Sequence, residues 1–443
     1  MAQTGTIGAQ SIQPGSSPVR NRWVQLVVGI IGMVMIANLQ YGWTLFVQPI
    51  DDKFHFGRAA IQVAFTTFVL FETWLVPFEA YLVDKFGPQR LVAAGGFLVA
   101  VAWATNANAD SLPVLYVAAA IGGLGAGIVY GTAVGAALKW FPDHRGLAAG
   151  LTAAGFGAGS ALTVIPISNM IAGSGYESAF LYFGLGQGII VILAALLMRV
   201  PRPDEVAQIP AHLEQSRRDY HPLEILRTPV FWLMYAMMTM VATGGLMATA
   251  QLAPIAKDFG VDTTPVTIGW ITLAALPFAL SLDRIVNGVT RPFWGWVSDH
   301  IGREPTMGLA FTLEALAIIV LISTAGNPLL FVIFSGLTYF GWGEIYSLFP
   351  ATAGDLFGRQ FATTNYGLLY TAKGAAALLV PFGNVLQEST GSWIPIFGLS
   401  VVFDLIAALL AITLLRSWHH AHVARSGPQS QEEVALPAPA PAA

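Results

Sequence analysis

The sequence predicts an all-α polytopic membrane protein with 12 transmembrane helices in two six-helix halves. Three observations predict it. Of 443 residues, 55% are hydrophobic and only 10% are charged, where a soluble globular chain carries about 25% charge. Twelve apolar runs reach the roughly 20 residues that cross a bilayer. They occupy about 24–49, 60–83, 89–109, 112–139, 146–172, 177–199, 229–256, 265–298, 304–324, 328–354, 362–388 and 393–416. The longest polar interruption, about 200–228, divides them six and six.

The elements follow in order. Residues 1–22 are polar and small, lack the apolar core of a cleavable signal peptide, and read as a cytoplasmic N-terminal tail. Residues 23–199 are the N-terminal six-helix half, 200–228 a cytoplasmic central loop, and 229–416 the C-terminal six-helix half. Residues 417–443 end in a polar Pro/Ala-rich stretch and read as a disordered cytoplasmic tail. Orientation comes from the basic residues. Of 21 Lys and Arg, 15 fall in the tails and the loops of one side; only Lys53, Arg58 and Lys257 fall on the other. The chain is thus a multi-pass protein of the inner membrane with both termini cytoplasmic, and the lipid bilayer is its obligatory partner. There is no cysteine, which excludes disulfides, thiol nucleophiles and thiolate metal sites. All eight His fall in loops or tails, which argues against a buried His metal site or proton relay. His419, His420 and His422 read as part of a solvated tail. No metal, cofactor or nucleic-acid partner is expected.

The halves repeat. "AYLVDKFGPQR" (80–90) follows the second span and "GWVSDHIGREP" (295–305) follows the eighth. Asp84 and Gly87 match Asp299 and Gly302, each pair 215 residues apart. A parallel repeat of six spans is the architecture of major facilitator transporters, whose site lies at the midplane between the halves. The D-x-x-G loop resembles the signature that superfamily carries after spans 2 and 8, with Ala80 where Gly is usual. Its acids suit a neighbouring helix N-terminus or a basic residue such as Arg303, which makes the loops candidate gate contacts. "AAIGGLGAGIVYG" (119–131) and "GLAAGLTAAGFGAGSA" (146–161) place small residues at three- and four-residue spacings, as close-packing surfaces of spans 4 and 5. The "GLGAG" within them follows no strand and is no dinucleotide fingerprint.

Three cations lie inside spans: Arg284, Arg291 and Lys373. A bare cation in hydrocarbon costs at least a few kcal/mol, so each needs a partner or a function. Arg291 in span 8 and Lys373 in span 11 sit at corresponding depth and are expected to face one cavity. Ala372, Gly374, Ala375 and Ala376 leave room beside the ammonium. Two desolvated cations suit a small anion of charge −2, and Arg adds a bidentate fork for carboxylate. Each cation is equally open to neutralisation by an intramembrane acid: Glu72, Glu79, Asp283, Glu314, Glu344 or Asp404. Arg284 and Arg291 are seven residues apart and share a helix face; Glu72 and Glu79 are the candidate partners of Arg284. Gln40, Tyr41, Tyr130, Trp342 and Tyr346 bring hydrogen-bond donors and aromatic faces to the same depth, enough for a small polar cage.

Eight stretches together carry a resemblance more specific than the loops. They are "NRW" (21–23), "QYGWTLF" (40–46), "VDKFGP" (83–88), "GAGIVYG" (125–131), "WFPDHRGLAAG" (140–150), "NG" with "RPFWGWVSD" (287–299), "LFP" (348–350) and "NYG" with "AK" (365–373). Over nearly all spans the chain resembles the oxalate:formate antiporter family of the major facilitator superfamily. The resemblance implies a secondary transporter, not an enzyme, that exchanges oxalate for formate by rocking of the two halves, as a monomer. It implies electrogenic exchange, two charges in and one out. It assigns substrate binding to Arg291 and Lys373 and lining roles to Gln40, Tyr41, Tyr130, Trp342 and Tyr346. Phe156 stands where the family's oxalate carrier has Tyr, Glu344 replaces a small residue, and Glu72 and Glu79 are additional acids. The alternatives are a proton-coupled symporter of a small monocarboxylate such as formate or lactate, with Glu344, Glu72 or Glu79 as the coupling acid, and a transporter-like receptor.

Overall fold

The computed structural model describes residues 21–206, 215–216 and 218–426. Twelve helical spans pack into the two halves expected. Seven are single helices: span 3 (Pro88–Ala107), span 4 (Leu112–Trp140), span 6 (Tyr176–Leu197), span 7 (Pro229–Asp258), span 8 (Ala275–Ile301), span 9 (Arg303–Thr324) and span 11 (Ala362–Thr390). Five are in pieces: span 1 (Arg22–Tyr41, Thr44–Phe54), span 2 (Arg58–Trp74, Val76–Phe86), span 5 (Arg145–Gly159, Val164–Ser174), span 10 (Pro328–Trp342, Ile345–Phe357) and span 12 (Ile394–Leu410, then a wide turn into Arg416–Arg425).

The breaks have sequence causes. Gly42 interrupts span 1, and Gly343 precedes the second piece of span 10. Pro77 and Pro166 lie in the first turns of the second pieces of spans 2 and 5, where a missing N–H removes a bond to the preceding turn. Span 2 bends by 42° there. Backbone groups freed at such breaks are tolerated only where protein or a cavity meets them. The breaks in spans 1, 2, 5 and 10 fall within a few residues of Tyr41, Glu72, Phe156 and Tyr346, each of which meets one of the cations described below.

One boundary differs from expectation. Residues 265–274 do not begin span 8. Pro265–Ile268 (β1) pairs antiparallel with Ile271–Ala274 (β2), Ile268 opposite Ile271. The stretch is rich in β-branched residues (Val266, Thr267, Ile268, Ile271, Thr272), and Gly269, at φ +62°, takes the turn. The apolar composition that suggested a membrane span instead makes a projecting hairpin, with Trp270 at its tip 95% exposed.

Both D-x-x-G glycines end a span at positive φ, Gly87 at +85° and Gly302 at +97°, a conformation that L side chains rarely adopt. The halves then meet along two helix pairs. Spans 5 and 8 run antiparallel in backbone contact: a Cβ on Gly295 would lie 2.1 Å from the Gly146 carbonyl oxygen, and one on Gly150 would lie 2.4 Å from that of Arg291. Spans 2 and 11 are the symmetric pair, where a Cβ on Gly374 would meet Trp74 Nε1 at 2.2 Å. The small-residue stretch 146–161 therefore packs across the two halves, as well as within one.

The end of the bundle where the chain enters and leaves, the terminal face, is tied by its connections. Gln215 donates to the Pro142 carbonyl, Ser216 N to the Asp355 carbonyl and Tyr220 N to that of Phe357. Residues 416–425 are helical and not simply solvated. His419 is buried against Glu304, and His422 packs between Tyr220 and Phe357. The reading of these histidines as a free tail is corrected: the helix of span 12 carries them back over the bundle.

Candidate functional site

The site is built where the broken spans meet spans 4, 8 and 11. Arg291 is 1% exposed. Its Nε donates to the Asn287 carbonyl (3.1 Å) and, with Nη2, to Asn287 Oδ1 (3.3 and 3.1 Å). Its Nη1 donates to the Ala153 carbonyl of span 5 at 2.9 Å. The guanidinium lies 4.4 Å from the Tyr346 ring centroid. Among the described residues no acid forms an ion pair with it, so its charge is solvated by carbonyl dipoles and a ring face.

Lys373, 2% exposed, is held differently. Its Nζ donates to Glu72 Oε2 at 3.1 Å and to Tyr370 Oη at 2.9 Å, and Tyr370 donates to Glu72 Oε1 at 2.9 Å. Glu72 is fully buried at the end of the first piece of span 2. The ammonium also sits 5.1 Å from the Tyr370 ring, 5.8 Å from Phe156 and 5.9 Å from Tyr346. Tyr346 thus lies beside both cations. Glu72 is not the partner of Arg284: it neutralises Lys373.

An aromatic cage surrounds the pair. Tyr130 stacks on Tyr370 at 4.7 Å and meets Phe156 edge-on at 5.3 Å. Phe156 meets Tyr41 at 5.2 Å, and Trp342 meets Tyr346 at 5.4 Å. The buried Tyr130 and Tyr366 hydroxyls lie near one another without a hydrogen bond of normal geometry. Gln40 precedes Tyr41 with its Oε1 buried and unbonded. The Arg284 guanidinium lies over the Tyr41 ring at 4.6 Å. Arg284 forms no ion pair among the described residues. Glu79 and Glu344 are buried with both carboxylate oxygens unbonded. Glu344 opens the second piece of span 10, between Trp342 and Tyr346.

Toward the terminal face the site is closed by a buried charge network. Asp299 accepts from Gly146 N (3.0 Å) and Leu147 N (2.9 Å), capping the N-terminus of span 5 in the other half. Arg303 bonds Asp299 (2.5 Å) and Asp355 Oδ2 (2.8 Å); Arg145 bonds Asp355 Oδ1 at 2.8 Å. All four side chains are nearly fully buried. Asp299 and Arg303, on either side of Gly302, thus lie in a contact between the two halves. The side chain of Asp84, the first copy, lies outside the described residues; Gly87 makes the matching turn.

Several partners escaped the sequence reading. Arg145 is one of the loop cations on the basic side, and nothing in the sequence singles out Asp355. Tyr366, Tyr370 and Lys373 stand four and three residues apart, one face of span 11, and that spacing was a legible signal. The anchoring of Arg291 by Asn287 follows the i, i+4 rule but needs a rotamer to reveal it.

The model of the Major Facilitator Superfamily matches residues 28–287 and 236–441. The chain belongs to the major facilitator superfamily. Within the superfamily it is 37% identical over 397 residues to an oxalate:formate antiporter of Oxalobacter formigenes, covering 88% of this chain and 91% of that one. An uncharacterized major-facilitator-type transporter from Escherichia coli K12, YhjX, is 24% identical over 81% of this chain and 86% of its own. The fold matches the solved proton:xylose symporter XylE with a TM-score of 0.69 at 13% identity, covering 89% of this chain and 96% of that one. The fucose:proton symporter FucP superposes with a TM-score of 0.62 at 14% identity, over 90% and 97%. Major facilitator proteins place their substrate at the midplane between the halves.

Proposed function

We propose that the protein exchanges oxalate for formate across the inner membrane by alternating access, with its terminal face cytoplasmic and as a monomer. One observation carries this reading: two fully buried cations from spans 8 and 11 converge on Tyr346 inside an aromatic cage. A small planar carboxylate fits such an enclosure. Its oxygens take charge-assisted bonds from Arg291 and Lys373, and the ring faces exclude water. The 37% identity to an oxalate:formate antiporter supports the choice of carboxylate. Gln40, Tyr41, Tyr130, Trp342 and Tyr346 line the site in this reading. The Asp299–Arg303–Asp355–Arg145 network holds the cytoplasmic side shut while the opposite side opens.

The test is reconstitution. Liposomes preloaded with formate should take up labelled oxalate, and empty liposomes should not. Equal uptake into both, or none into either, defeats exchange.

A further inference from the structure

We infer that Glu72 makes oxalate enter with one proton, so that the oxalate–formate exchange proposed above is electroneutral. The inference rests on that exchange reading. It comes from counting charge in the cage. Arg291 and Lys373 contribute two positive charges and Glu72 one negative charge, leaving a net charge of +1. Formate, a monoanion, brings the enclosure to zero. Oxalate, a dianion, leaves it at −1, with the excess buried at zero exposure.

The geometry shows where the conflict falls. Glu72 already occupies Lys373 with the two-oxygen, bifurcated contact that a substrate carboxylate would make, at 3.1 and 3.4 Å. Lys373 has one N–H beyond its Glu72 and Tyr370 bonds, so oxalate can reach it, but three carboxylates then share two cations, and a full carboxylate contact with Lys373 requires Glu72 to release it. A released carboxylate keeps just the Tyr370 hydroxyl as donor. The groups facing it from every packed element are Lys373 and Tyr370 of span 11, Tyr130 of span 4, Tyr346 of span 10 and, on its own span, the acid Glu79. None of these except Lys373 is a cation. Stripping a buried ion pair of one partner leaves an uncompensated charge, which is strongly unfavourable.

A proton resolves it. The Glu72 carboxylate takes one proton from the aqueous phase on the open side, and its contact to Lys373 Nζ breaks. The ammonium turns to one oxalate carboxylate while Arg291 holds the other. When oxalate leaves, the proton leaves with it and Glu72 closes on Lys373 again. Formate needs no such step. One cycle then moves oxalate and a proton one way and formate the other, with no net charge.

The experiment uses the full chain in formate-loaded liposomes, with potassium and valinomycin setting the membrane potential. For a carrier that moves one net charge per cycle, 100 mV inside-positive changes oxalate accumulation about 50-fold. Wild type should change less than twofold. It should instead gain about tenfold in accumulation per unit of external acidification, the linkage of one proton. Glu72→Gln should reverse both results, following the potential and ignoring pH. Should that variant not insert, the wild-type potential response decides alone. Wild-type accumulation that follows the potential overturns the inference, and so does proton coupling that survives in Glu72→Gln or is lost only in Glu79→Gln. Absence of formate-dependent oxalate uptake is a different result, and it overturns the exchange reading beneath.

Discussion

Removing Asp355 from the buried network should unlock the terminal face. Asp355 is the only carboxylate that bonds both Arg145, from the N-terminal half, and Arg303, from the C-terminal half, among the described residues; each bond is 2.8 Å. All three side chains are nearly fully buried. Asp355→Asn keeps the size and one acceptor but leaves both guanidiniums short of a counter-charge. Breaking a buried pair typically costs 3–5 kcal/mol. The retained amide favours the lower figure, about 3 kcal/mol, which is roughly 150-fold in an equilibrium constant. The network bridges the halves, so the loss falls on the closed state. An open form present at about one part in 150 would then rise to about half. The chain has no cysteine, so pairs of spin labels can be placed without background mutations. Labels at Lys85 and His300, exposed residues near the ends of spans 2 and 8, read the separation of the halves by pulsed electron resonance. Wild type should give one short distance, and Asp355→Asn a second, longer one of comparable weight. Asp143→Asn, which breaks the pair to Arg22 within one half, is the control and should leave the distribution unchanged. A folded Asp355→Asn protein with the wild-type distribution refutes the gate assignment.

Further outcomes follow from the same geometry. Arg291→Gln and Lys373→Gln should each lower exchange more than 100-fold, the loss of about 3 kcal/mol expected for a charge partner in a buried site, while membrane insertion, read by surface labelling, stays normal; normal transport in either removes that residue from the site. Asn287→Ala takes away the acceptor of two Arg291 bonds and should weaken formate binding by about 1.5–3 kcal/mol, measured by titration of tryptophan fluorescence. Gly302→Ala forces a side chain into φ +97° and should lower stability by about 1–2 kcal/mol, visible in detergent melting curves; an unchanged melting curve would mean that the turn relaxes at no cost.

The membrane class, the number of spans, the six-plus-six division and the repeated D-x-x-G loops were all written in the sequence, because each depends on local composition or spacing. The two intramembrane cations Arg291 and Lys373 also stand out in the sequence, because charge inside an apolar run is conspicuous wherever the chain places it. Apolar composition alone could not distinguish the hairpin at 265–274 from a span, since both bury or present the same residues and only backbone pairing separates them. Tertiary structure alone decided which acid meets which cation. Glu72 and Lys373 are 301 residues apart, and nothing in either neighbourhood favours that pair over Glu72 with Arg284. The choice was made by the packing of span 2, bent by 42° after Trp74, against span 11, while Arg284 lies over the Tyr41 ring. The same holds for Asp355, whose two arginines lie 210 and 52 residues away. A sequence shows which charges must be compensated; the packing of the helices decides by what, and so sets the net charge that a substrate meets.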